Sequence, residues 1–468
     1  AFNIGPSAFG NSQELTNVTN NGSLTRSGGS NNEFELATSS QGVRDIEVTN
    51  SGDISIDGVT SFGVTGFFSG NYTIVNDGTI DITGDSSGGI TGFSGTNPDD
   101  GTPALGVITN SGSITVTGEF AEGISINNAT GLTLSNSGEV TVSGDRSVGV
   151  STRDGVNQSI TNSSMIAATG LESVGVELFR DEGSIITNDG SISGETGVSV
   201  RFSSGVSVVN NGDITGTDVG VSFASSNSNS TTNITNSGTI AGGNAALSFD
   251  NVAGLSITNE AMASLSSDLE NSTTLLIEQR GATIDNQGMI SNTGNGGTAI
   301  SLFGENDDTS ITNAGLIEAT GLDGNGISVV GRFANGGSGQ SDNVTVANSG
   351  TINASGVGVE VTGFTVGEIT NTADGTINST GPSGVGLRVR NAIDAVVDNS
   401  GTSAARGDGS TAVSLNAFNN SMITNSGMIT ASGSGATGVD FFGSLGSTFV
   451  NDGSVSGDTG VSLRFSSD

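Results

Sequence analysis

The sequence predicts an all-β fold: a three-stranded parallel β-helix, or β-solenoid, expected to be right-handed, with about seventeen coils and an internal column of asparagines. Three observations predict it. A short pattern, cleanest as Ile-Thr-Asn-Ser-Gly-Thr-Ile at 234–240, returns along the chain at spacings of 22 to 35 residues, 26 being the commonest. Apolar and small polar residues alternate around each copy. Where copies differ in the distance from the Asn to the closing Gly, they differ by two residues, which keeps an inward face inward. A pattern of this length repeated this often marks a stack of small units rather than a set of globular domains.

The repeat is anchored by Asn20, Asn50, Asn76, Asn110, Asn136, Asn162, Asn188, Asn210, Asn236, Asn259, Asn286, Asn313, Asn348, Asn371, Asn399, Asn425 and Asn451. Ile108, Asn110, Gly112, Ile114, Val116 and Gly118 fall at even offsets around Asn110, while Thr109, Ser111, Ser113, Thr115 and Thr117 fall at odd ones. Such alternation is the signature of half-buried strands. Asn-Ser-Gly in its middle is a turn signal, so one strand ends at the Asn and a second begins near the next Ile.

The second strand closes on a Gly eight residues past the anchor (Gly84, Gly118, Gly144, Gly170), or six past it (Gly194, Gly216, Gly242, Gly457). A third alternating block follows, as in Gly197-Val198-Ser199-Val200 and Gly460-Val461-Ser462-Leu463. Even spacing puts the anchor Asn on the inward side. An unpaired buried amide costs about 1–3 kcal/mol. Stacked coil on coil, each amide has a partner above and below, so the anchors are expected to form a ladder like those of cross-β stacks.

Composition narrows the function. The twelve cations are all Arg, against 47 acids, for a net charge of −35. That balance argues against nucleic acid and anionic membrane surfaces as partners. No apolar run approaches the ~18 residues of a membrane span. The sequence has no Cys, His or Trp, so Cys–His and Ser–His catalysis and disulfide staples are excluded. No cofactor is expected, although the acidic surface has room for divalent cations such as calcium. Ala1 in place of Met is expected to be the N-terminus left by signal cleavage, placing the chain outside the cell.

Residues 1–17 lack the repeat and read as a cap or docking segment, with Phe2, Ile4 and Phe9 as its apolar contacts; 18–468 reads as one continuous solenoid. Insertions at about 93–106 and 331–342 both fall between a third strand and the next anchor strand. Phe202, Phe223, Phe303, Phe441 and Phe465 follow third strands and are expected to stack inward. A longer repeat overlies the short one: residues 188–205 and 451–468 are identical at fourteen of eighteen positions, an offset of 263. The second copy stops part-way through a coil, so either a longer chain of the same coils or copies stacked end to end in an extended fibre are expected.

Two groups of residues could carry chemistry. Asp53, Asp57 and Asp81 lie on second strands of adjacent coils, at the separation that paired carboxylates need in a glycoside hydrolase. A carbohydrate-active β-helix enzyme is therefore the alternative reading, against a structural or adhesive rod with no active site. Arg406-Gly407-Asp408 is similar to the tripeptide of integrin-binding adhesins.

The recurring pattern, from about residue 18 to 468, resembles β-helical passenger domains of autotransporters and related filamentous adhesins of Gram-negative bacteria. The resemblance implies secretion to the cell surface and a part in adhesion, aggregation or a biofilm matrix, with surface glycans or host receptors as partners.

Overall fold

The computed structural model describes residues 2–4, 16–40, 45–68, 70–96, 101–224, 231–278, 281–304, 308–331, 343–365 and 367–464. Their regular structure is β-strand, and no helix among them is long and apolar enough to cross a membrane. The chain divides into two compact units, Ala1–Asn233 and Ile234–Asp468. Among the described residues, eight strands of the first unit and nine of the second end on an anchor Asn.

One coil of the first unit shows the plan. Gly106–Asn110, Ser113–Thr117 and Glu122–Asn127 are its three strands. Each pairs in parallel with its counterpart in the next coil, placing Asn110 beside Asn136, Ile114 beside Val140 and Ile124 beside Val150. This is a parallel β-solenoid of about 26 residues per turn. Its second-strand core is the column Ile54, Ile80, Ile114, Val140, Ile166, Ile192 and Ile214, all buried. Each contributes roughly 1.5–3 kcal/mol by leaving water.

Corner chemistry follows the sequence closely. Gly118 and Phe120 turn the chain from second to third strand with φ of 154° and 56°. Two of the coils that close six residues past the anchor drop this corner. There Ser191–Arg201 and Asp213–Ala224 each run as one strand through both positions, with a register irregularity between Gly194 and Thr196. The third-strand Gly is required by contact: a Cβ on Gly149 would sit 2.5 Å from Ile166 Cγ2 of the following coil.

The second unit repeats this plan. Its second-strand column runs through Ile240, Leu265, Ile290, Ile317, Ile352 and Ile377, all buried. The coil after Asn259 turns through Glu260–Ala263 with Met262 at φ 71° and 99% exposed. Its Leu275 and Ile277 are core residues, beside Leu247 and Phe249 on one side and Ile300 and Leu302 on the other.

Phe223 and Phe441 point inward, but Phe202 is 56% and Phe303 46% exposed. Phe303 falls one residue past the inward Leu302, so the pleat turns it outward; Phe202 follows the strand end and adopts φ 56°, which swings it out. Phe465 and Phe9 lie outside the described residues. At the N-terminus, Phe2–Ile4 pairs in parallel with Leu36, Ala37 and Thr38 of the first coil. The 331–342 insertion lies almost wholly outside the described residues, whereas the first is closed by an antiparallel bridge between Thr96 and Pro103.

Candidate functional site

The asparagine column is internal. In the first unit the Nδ2 of each anchor from Asn20 to Asn188 donates to the Oδ1 of the next, at 2.7–2.8 Å. In the second unit the same bond runs from Asn236 to Asn451 at 2.6–2.9 Å. Each Nδ2 has a further acceptor in the backbone: Asn136 Nδ2 also donates to Gly138 O at 3.0 Å and Met165 O at 3.2 Å. The backbone two residues on is equally tight. A Cβ on Gly138 would lie 1.9 Å from Gly112 O. Anchor amides and turn glycines together hold the coil spacing.

The acids singled out in the sequence sit in the open. Asp81 pairs with Ser55, and Asp53 and Asp57 occupy the diagonal positions on that strand. All three are exposed. Among the described residues no three metal-ligating side chains come together as a cation site. Arg406 ends the strand Thr402–Arg406, and Gly407 turns the corner at φ 135°. Asp408 is already engaged, since its Oδ1 accepts Ser434 N of the next coil at 2.9 Å. Asp85 and Asp145 do the same for Glu119 N and Leu171 N at the equivalent corner. The Asp of this tripeptide therefore has a structural use that recurs where no Arg-Gly precedes it.

The outward face of the third strand carries what pattern reading missed. Glu177 is buried there and paired with Arg201; 263 residues on, Asp440 is buried and paired with Arg464. Arg201 lies over the Phe179 ring, and Arg464 over Phe442, each with Cζ 5.7 Å from the centroid. Glu360 holds a comparable place in the second unit, with Arg388 Nη1 at 3.5 Å and Arg390 Nη1 at 3.6 Å. The acid and its Arg stand in adjacent coils, so no local spacing announces them. The signal was the long duplication, whose offset sets an acid on an acid and Arg464 on Arg201.

Two further carboxyls in the first unit are held away from water. Burial pushes both Glu122 and Asp181 above the ordinary carboxylate range, and hydrogen bonds offset part of this. Asp181 Oδ2 accepts the Thr152 hydroxyl at 2.6 Å, and Oδ1 accepts Gly155 N at 2.8 Å. Below its ordinary value of 3.8 the carboxyl is protonated in both states and contributes no pH dependence. As pH rises past that value the unfolded chain ionises first, so Asp181 lowers stability until the folded carboxyl ionises too. Asp181→Asn keeps an acceptor for Gly155 N. It is expected to be relatively more stable than wild type as pH rises from 3.8, measured by urea denaturation at a series of pH values. A constant difference between the two proteins across the series would contradict this.

No family model and no curated protein matches the sequence. Among solved structures, the chain is similar to one in the Vag8–C1 inhibitor complex, determined by cryo-EM. The identity is 12% and the TM-score 0.37, covering 97% of this chain and 98% of that one. A likeness of that size carries no argument about partner or compartment, and the fold rests on the ladders described above.

Proposed function

We propose that this chain is an extracellular structural or adhesive β-solenoid, a passenger-like segment of a surface filament or matrix fibre on a Gram-negative cell. The asparagine ladder is the observation that carries the reading. A chain that spends one buried amide per coil on coil-to-coil bonding is built to hold a repeat, and here the repeat is most of the chain. The pattern's resemblance to autotransporter passengers and filamentous adhesins supports the compartment. On this reading the chain is not an enzyme, and its partners are other copies, surface glycans or receptors.

Association through coil ends is part of the proposal. In-register parallel ladders leave open strand edges at the face of a terminal coil, so coils of two copies can pair there. Electron microscopy and sedimentation over a concentration series are expected to show particles that lengthen end to end. Particles of one length at every concentration would remove the filament from the proposal. Asp53→Asn combined with Asp81→Asn tests the enzymatic alternative. Reducing-end assays on polysaccharides are expected to give no release by either protein. Release by wild type that the double variant loses would make the chain a hydrolase.

A further inference from the structure

On a chain of net charge −35, three of the twelve Arg converge on one aromatic ring. Arg153, Arg180 and Arg201 place Cζ 4.9, 4.8 and 5.7 Å from the Phe179 centroid. Arg153 and Arg201 are the residues paired with Phe179 in the coils on either side, so the three stand in register on the outward third-strand face. Phe202 meets Phe179 edge-on at 5.6 Å and is itself largely exposed.

The duplication supplies an internal comparison. In the second copy Asp440, Phe442 and Arg464 stand where Glu177, Phe179 and Arg201 stand in the first. Asn416 replaces Arg153 and Gly443 replaces Arg180. Packing of the acid–Phe–Arg group therefore needs only the one arginine. The other two are found in the first copy alone. Among the described residues the Arg153 guanidinium has no hydrogen bond and no ion pair, and Arg180 reaches only Asp154, at 3.8 Å. Their donor forks face solvent beside a half-covered aromatic surface.

From this arrangement we infer a binding site for a carboxylate-bearing sugar unit of a glycan, with Arg153 and Arg180 as its anion-binding residues. Guanidinium forks pair with carboxylates bidentately and are weakly hydrated, which suits them to this role. Phe202 offers an apolar face for the C–H side of a sugar ring. A peptide adding as a strand is disfavoured here, because neighbouring coils already pair with this strand on both edges. A long polyanion is disfavoured by the surrounding acids, whereas one acidic sugar brings a single charge. The inference rests on the adhesive reading above and names its ligand class.

The test is saturation-transfer NMR on the full chain with free glucuronate, free sialic acid and glucose. The doubly substituted Arg153→Gln, Arg180→Gln chain serves as comparison. One or both acidic sugars are expected to bind wild type and to bind the double variant at least tenfold more weakly; glucose is expected to bind neither. Whichever acid binds better identifies the source. The melting temperature is expected to be unchanged, because Arg201 and Glu177 remain. Should the double variant unfold, the two single substitutions give the same readout. Equal binding by wild type and variant, equal binding of glucose, or no binding of either acid would overturn the site. An acidic peptide that binds where both sugars fail would assign the patch to a protein partner and equally overturn it. End-to-end assembly, read by sedimentation, does not depend on these arginines, so this site can fail while the structural reading stands.

Discussion

Asn162→Ala is expected to destabilise the first unit by roughly 2–4 kcal/mol, far beyond the effect of an ordinary polar surface substitution. The side chain accepts from Asn136 Nδ2 and donates to Asn188 Oδ1, both at 2.8 Å. It also donates to Ser164 O and Ser191 O, at 3.1 and 3.0 Å. Removing it leaves the facing atoms of two buried amides without that partner and opens a gap where water has no ready path. Asn211→Ala is the matched control, because the Asn211 side chain is exposed and donates to the Asp189 carboxylate in the neighbouring coil. Chemical denaturation gives the comparison. A loss for Asn162→Ala no larger than that for Asn211→Ala would mean that the ladder contributes alignment and not stability.

Gly138→Ala is expected to cost at least as much, about 3 kcal/mol, by a different route. The new methyl would lie 1.9 Å from the Gly112 carbonyl oxygen. That atom is backbone, and it is fixed because Glu139 N donates to it at 2.9 Å. Relief requires the two coils to part, and in-register ladders are spaced at ~4.8 Å with little give. Gly460→Ala is the control, since a Cβ there meets nothing within 4 Å. Hydrogen exchange is expected to show loss of protection spreading through the coils on either side of Gly138. Unchanged protection there would show that the stack can dilate locally.

How far the sequence was legible follows from the range of each signal. Alternation and turn chemistry act within ten residues, and they disclosed the anchors, the even-length corners and the three strands. The ladder was legible because a buried amide has few ways of being satisfied, and stacking is the one a repeat offers. Phe202 and Phe303 were misread for a local reason: the first is itself in the left-handed conformation just past a strand end, and the second has the outward parity. The Arg–acid pairs were missed for a longer-range one. Glu177 and Arg201 meet because third strands of successive coils lie side by side, and no composition window contains that fact. The carboxylates Asp53, Asp57 and Asp81 matched a catalytic spacing on paper, but they stand exposed on the open outer face of their sheet. Asp408 likewise spends its carboxylate on the next coil's backbone.

The direction of the asparagine bonds has a consequence of its own. Within each unit every donor points the same way, from Asn20 toward Asn210 and from Asn236 toward Asn451. The assignment is fixed by the backbone, since Asn20 Oδ1 accepts Gly22 N and Asn162 Oδ1 accepts Ser164 N. Such a column is a row of aligned dipoles, with an oxygen at its head and an amide hydrogen at its tail. A coil joining the tail must bring an acceptor, and one joining the head must bring a donor. A segment offered upside down presents like to like and is refused. The ladder is therefore an arrow as well as a clamp, and any material grown by adding such coils has a front and a back.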